Sequence, residues 1–214
     1  YKMPQTIEVL SEEHMPLLSE CLIGTGSLRR GAILKSANKT IRTIDVRGNI
    51  ETRIGKLHRG DFEGIIVSEA ALKRLDIKCD SICYKLSTEW FVPSPAQGVI
   101  AIESMRGSEL STKLSSLSDS QTWTLVGIER KILAELGGDC RLPAGIHCYT
   151  KGEQIHCSVV ILVPDGDKKV HIKSSFDSSL KDSVIVKSVL KDLVKGGANE
   201  ILSTLGLKPI LVST

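Results

Sequence analysis

Three short apolar runs, each followed by a polar turn and then a helical pattern, set the strongest limit on how this chain can fold. Cys21–Gly24, Thr40–Val46 and Gly64–Val67 read as strands, and Leu28–Lys35, Asn49–Arg59 and Glu69–Leu75 as the helices that follow them. In the second helix Ile50, Ile54 and Leu57 recur at i, i+4 and i+7, the period of one buried helical face. The third strand is apolar throughout, as a strand covered on both faces must be. Such alternation predicts α/β layering around a parallel sheet, with ligands at the carboxyl ends of the strands.

Two arginine-bearing stretches fall at those ends. Ile23-Gly24-Thr25-Gly26-Ser27-Leu28-Arg29-Arg30 carries Arg29 and Arg30 into a first helical turn. Ile44-Asp45-Val46-Arg47-Gly48-Asn49-Ile50-Glu51-Thr52-Arg53 sets Arg47 directly before a Gly-Asn turn. A strand that enters a helix through glycines leaves backbone N–H groups free for an anion. Arginine adds a planar, permanently charged fork that suits carboxylate or phosphate. A cation in a first turn opposes the helix dipole by about 0.3–1 kcal/mol unless an anion compensates. As solvated surface charges these arginines would contribute only about 0–1 kcal/mol per pair. Their placement points to a small polyanionic ligand.

The remaining patterning is of a different kind. Pro93-Ser94-Pro95-Ala96-Gln97-Gly98 is a turn-rich connector, and Val99–Glu103 reads as an apolar strand. Ser108–Ser120, rich in serine, is expected as a surface helix or linker. A second unit begins near Gln121 with a helix over Trp123–Leu136 that stops at Gly137-Gly138. Strands are expected at Gly145–Tyr149, Gln154–Val163 and Val170–Ser175, the last two flanking the hairpin loop Pro164-Asp165-Gly166-Asp167. Leu180–Gly196 is expected as a long amphipathic helix, capped by Asp177, Ser178 or Ser179.

Composition narrows the function classes. With 28 basic and 25 acidic side chains the net charge is +3, and aromatics are 4% of 214 residues, which argues against a nucleic-acid surface. No run approaches the roughly 18 apolar residues of a membrane span. Tyr1–Ser11 carries no secretory-signal pattern and no initiator methionine, so a fragment is expected. The six cysteines are then expected as reduced thiols in a cytoplasmic, monomeric protein. Cys140, on a loop beside Arg141, is either a reactive thiol or a small buried hydrophobe. Cys140, His147, Cys148, His156 and Cys157 do not have the spacing of a zinc set, and no metal is expected. Cys79 and Cys83 are expected to be structural.

Taken together, the two arginine stretches and Gly137-Gly138-Asp139-Cys140-Arg141-Leu142-Pro143 resemble the porphobilinogen deaminase (hydroxymethylbilane synthase) family. Glu69-Ala70-Ala71-Leu72-Lys73-Arg74-Leu75, Gln97-Gly98-Val99-Ile100-Ala101-Ile102-Glu103 and Glu129-Arg130 agree in the same order. The resemblance implies a transferase of tetrapyrrole, porphyrin and haem biosynthesis. It would carry a dipyrromethane cofactor joined by a thioether to Cys140. Four porphobilinogen units would be added one by one, each losing ammonia, and water would release the linear tetrapyrrole. Ser27, Arg29, Arg30, Arg47, Arg53 and Arg74 match the positions that hold the acetate and propionate groups of cofactor and growing chain.

Departures from the family pattern carry expectations too. Its His-Ser-(apolar)-Lys-Asp-(apolar)-Pro motif, with the proton-handling aspartate, has no match here, so most of the N-terminal domain is expected to be absent and the chain alone inactive. Ser179-Leu180-Lys181-Asp182-Ser183 lacks the flanking His and Pro, and Asp182 is rejected as the acid. Asp139 stands where a glycine often precedes the cysteine, and Ala96 where a glycine often precedes Gln-Gly.

The resulting expectation is an α/β protein. A type II periplasmic-binding-protein-like domain would span 18–90, and a connector 91–120 would include a strand (99–103) of the missing domain. A cofactor-bearing α+β domain with an antiparallel sheet would span 121–214. The alternative is a non-catalytic anion-binding module of solute-binding-protein type.

Overall fold

The computed structural model describes residues 9–77, 83–138 and 142–211. Strands β1 (Val9–Leu10), β2 (Leu22–Gly24), β3 (Arg42–Ile44), β4 (Gly64–Ile65) and β5 (Lys85–Leu86) interleave with α1 (Leu28–Ala37), α2 (Ile50–His58) and α3 (Glu69–Arg74). A short 3-10 helix covers Glu12–Leu18. Strands β2, β3 and β4 form a parallel sheet in the order β3-β2-β4, and β1 pairs with β5 alone. The strands are shorter than the apolar runs that announced them, but their order and direction follow the alternation.

The remaining elements are α4 (Glu109–Ser115), α5 (Ser120–Glu135), β6 (Ala144–Lys151), β7 (Gln154–Leu162), β8 (Lys169–Asp177), α6 (Asp182–Lys195) and α7 (Ala198–Thr204). Strands β6, β7 and β8 make an antiparallel meander. Helices α5 and α6 cover one of its faces: Ile128 and Ile132 from α5, with Leu136 at its C-cap, meet Ile185, Val189 and Leu193 from α6 over Ile146, Val159 and Ile161. Helix α5 ends as expected, at Gly137 and Gly138, both with positive φ.

A second core joins the two sheets. Val160 and Leu162 point to the opposite face of β7 and pack with Ala32, Ile33 and Leu34 of α1, Ile23 of β2, and Trp90, Phe91 and Val92. The contact is close enough to exclude side chains at two glycines. A Cβ on Gly145 would lie 2.5 Å from the Val92 carbonyl oxygen, and one on Gly166 would lie 2.5 Å from the Ser36 nitrogen. Gly166 also has φ +74°, a conformation that disfavours any other residue. Lys39 pairs with Asp167 across the same junction.

Val99–Glu103, expected as a strand of a missing domain, pairs with no strand among the described residues, and Ile100 stands 85% exposed. One expectation is corrected. Helix α6 is not capped by Asp177, Ser178 or Ser179 but begins after Lys181. The Asp177 carboxylate is instead occupied by the Ser179 backbone N–H and hydroxyl, which hold its pKa down. Helix α7 follows α6 after a left-handed Gly197 and was not anticipated.

The face of the meander opposite α5 and α6 also carries His147, Tyr149 and His156 in a ring stack, and His171, whose Nε2 lies 2.9 Å from the Ser158 hydroxyl. Burial lowers the His171 pKa most; Lys173 and Lys169 lower it further, against Glu12 and Glu89. A lowered folded-state pKa means the unfolded chain binds the proton more readily. Stability should therefore fall as pH drops through the ordinary histidine value of about 6.5 toward the lower folded value. Thermal unfolding between pH 8 and pH 5 should show this slope, and His171→Gln should flatten it.

Candidate functional site

The loop from β2 to α1 is built around atoms that leave no room for side chains. A Cβ on Gly24 would lie 2.9 Å from Val46 Cγ2, and one on Gly26 would lie 3.0 Å from the Asp45 carboxylate. Ser27 is the N-cap of α1, its hydroxyl accepting from the Arg30 N–H at 3.4 Å, while Thr25 Oγ1 accepts from the Ser27 N–H at 3.3 Å. Asn49 caps α2 more tightly, accepting from the Thr52 N–H at 2.8 Å and the Thr52 hydroxyl at 2.7 Å. The two capped loops border one region, although Arg29 and Arg30 themselves do not line it.

A cavity of about 580 Å³ lies there. Thr25, Gly26 and Ser27 line one side and Asp45, Arg47 and Arg53 another; Lys35 and Pro164 also contribute. Arg53 is held in place by Nε donating to the Gly48 carbonyl at 2.8 Å. Arg47 is widely exposed, with Nε donating to Asp45 at 3.0 Å.

The two arginines of α1 have different fates. Arg29 is 8% exposed and donates to the Val92 carbonyl at 2.6 Å, so it fastens α1 to the connector rather than lining the cavity. Burial, then the nearby Arg30 charge, draws its pKa down to about 10, and it remains charged at neutral pH. Arg30 is less deeply placed and donates to the Ile66 carbonyl at 3.1 Å. Its pKa is also lowered, by burial first and by Arg53 second. Arg29, Arg30 and Arg53 thus form a row of mutually repelling cations, and among the described residues none of the three has a carboxylate in ion-pair contact. An anion between them would relieve both repulsion and desolvation.

Not every expected residue joins this group. Arg74 lies exposed near the end of α3 and does not line the cavity. Cys140, with Asp139 and Arg141, lies outside the described residues, as does Cys79. Lys35 was missed by sequence reading. It lies two turns along α1 from Ser27, and the i, i+4, i+8 spacing of one helical face is the signal that could have found it. Among the described residues no group of three or more His, Cys, Asp or Glu side chains could hold a metal ion, and no helix is long and apolar enough to cross a membrane.

Glu129 links the connector to the antiparallel sheet. Its buried carboxylate accepts from the Ala96 N–H and from the Cys148 N–H, each at 2.7 Å. Ala96 has φ +57°, which explains why glycine suits this position in Gln-Gly turns of the kind noted above. Glu129→Gln would turn an amide N–H₂ toward one of two backbone donors and should cost about 1–3 kcal/mol in urea unfolding. Ala96→Gly should act oppositely, stabilising the fold by about 0.5–1 kcal/mol, because the left-handed strain exceeds the entropy glycine adds to the unfolded chain.

Comparison with known sequences completes the description. A family model described as "Porphobilinogen deaminase, dipyromethane cofactor binding domain" matches residues 5–113, a segment that contains both arginine stretches and ends before Cys140. The porphobilinogen deaminase of Helicobacter acinonychis is 32% identical over 193 residues, which are 90% of this chain and 63% of that protein. That of Natranaerobius thermophilus is 36% identical over 190 residues, 86% of this chain and 60% of the relative. That of Caldicellulosiruptor saccharolyticus is 34% identical over 173 residues, covering 81% and 58%. The chain therefore spans about three fifths of the length of these curated relatives.

Proposed function

The chain belongs to the porphobilinogen deaminase family, and we propose that it is a hydroxymethylbilane synthase polypeptide that binds and extends a carboxylate-bearing pyrrole chain. The observation that carries this reading is the row of cations without carboxylate partners beside a cavity lined by Ser27, Arg47 and Arg53. Both ligand and substrate in this family carry acetate and propionate, so a growing chain needs several fixed positive charges.

The donor set fits a dipyrromethane group. Forked guanidinium groups, a cap hydroxyl and a lysine surround a space large enough for more than one carboxylate. In this reading Arg30, Arg47 and Arg53 hold carboxylates, Ser27 assists, and Arg29 acts through position, holding α1 against Val92. Arg74 is assigned to a more distant part of the same chain of pyrroles. The Cys140 thiol is the point of attachment. Dipyrromethane, when bound, supplies the pyrrole terminus to which porphobilinogen is joined. Asp45 limits the site, since its carboxylate competes with any incoming carboxylate for Arg47.

We read residues 18–90 as a type II periplasmic-binding-protein-like domain and 121–214 as the cofactor-bearing domain. In the connector 91–120, the exposed apolar segment 99–103 is assigned as a strand that pairs with a domain beyond these 214 residues. No aspartate here matches the family's proton-handling motif, so the informative tests read attachment and binding rather than turnover.

The purified chain should give the pink Ehrlich colour of dipyrroles and a mass increment on the peptide containing Cys140. Arg53→Met should weaken calorimetric binding of porphobilinogen at least about tenfold, the loss of one charge-assisted contact of about 1.5–3 kcal/mol. Asp45→Asn should leave affinity unchanged or raise it. Absence of the increment, together with unchanged affinity in Cys140→Ala, would instead make the chain an anion-binding module.

A further inference from the structure

Cys148 and Cys157 are direct cross-strand partners in the β6–β7 ladder, and both side chains lie in the core beneath α5 and α6, 4% and 2% exposed. The kind of pair they form follows from the backbone. The Cys148 N–H turns away from β7 to Glu129, and two residues earlier the Ile146 N–H turns the same way to the Pro93 carbonyl at 2.9 Å. Position 148 therefore belongs to the narrow, non-hydrogen-bonded class of antiparallel pairs, with Cα atoms about 4.5 Å apart and side chains face to face. That separation lies within the roughly 4.4–6.8 Å that a disulfide spans. The two sulfurs are already in contact, Cys148 Sγ donating to Cys157 Sγ at 3.2 Å.

We infer that Cys148 and Cys157 are a dithiol–disulfide site within the antiparallel sheet, reduced by default and closed by exchange with a small-molecule disulfide such as oxidised glutathione. In the first step a thiolate of the pair attacks a sulfur of the oxidant, forming a mixed disulfide and expelling one thiolate. The second cysteine then attacks the protein sulfur of that mixed disulfide and expels the other. Two S–H bonds are lost, one S–S bond is gained, and the oxidant leaves as two thiols.

The partner thiol, burial and the nearby Glu129 charge all push the Cys148 pKa up, so attack in the closed sheet is slow. Exchange is then confined to moments when the edge strand β6 opens, or to folding. Once closed, the bond ties the edge strand to the central one through a loop of ten residues, 148 to 157.

The test uses the full chain, incubated with oxidised glutathione in water and in urea near the unfolding midpoint, then alkylated and mapped by peptide mass. The expected product is a cross-link between Cys148 and Cys157 lighter by two hydrogens, formed faster near the midpoint and reversed by dithiothreitol. Its melting temperature should exceed that of the reduced chain, and Cys157→Ala should abolish both the cross-link and the shift. Separate alkylation of the two thiols after oxidation would overturn the inference. So would pairing of either with Cys140, or a cross-linked product that melts no higher than the reduced chain. The wild-type map decides the matter even if the variant folds poorly.

Discussion

Burial of β7 on both faces is the constraint on which the rest of this molecule depends. Its odd-numbered residues, Cys157, Val159 and Ile161, complete the core under α5 and α6, while Val160 and Leu162 complete the core around α1. One strand thus belongs to two cores, and neither sheet is a separable layer. At about 25 cal/mol per Å² of apolar surface removed from water, a fully buried Val or Leu contributes about 1.5–3 kcal/mol. Val160 and Leu162 are therefore enough to hold α1, and with it the cap at Ser27, in a fixed relation to the antiparallel sheet.

That fixed relation gives the arginines their character. Arg29 and Arg30 lie next to each other in sequence, yet one is a buried tie to Val92 while the other, bonded to the Ile66 carbonyl, lies less deep in the middle of the cation row. Their difference is one of depth, because successive residues of a helix are turned by 100° and only one can point into the α1 core. A buried guanidinium bonded to a carbonyl cannot be replaced by lysine without losing its planar fork.

Much of this was legible from residue patterns, and the exceptions share a physical reason. The alternation of apolar runs and helical spacing located the elements of the parallel sheet, and the meander with its Pro-Asp-Gly-Asp turn was equally plain. Ser27, Arg47 and Arg53, which line the cavity, stand out in the sequence because turn chemistry and charge lie side by side in the chain. Arg29's burial, Lys35's place in the cavity and Glu129's double role were not found, since each depends on contacts between segments 19 to 63 residues apart or on a helix face seen only in three dimensions. Val99–Glu103 reads as a strand of another domain, and among the described residues it has no pairing, since strand formation depends on a neighbour as much as on propensity.

Gly166 carries a consequence for how this chain can vary. A hairpin tip is ordinarily where insertions and substitutions are absorbed, because it touches nothing but water. Here the tip rests against the backbone of α1 at Ala32 and Ser36, and its neighbour Pro164 borders the cavity lined by Ser27, Arg47 and Arg53. The turn is a foot rather than a free end. Lengthening it would lift the meander from α1 and reshape the wall of the cavity in the same movement, so the latitude usually granted to surface loops is withdrawn at this one.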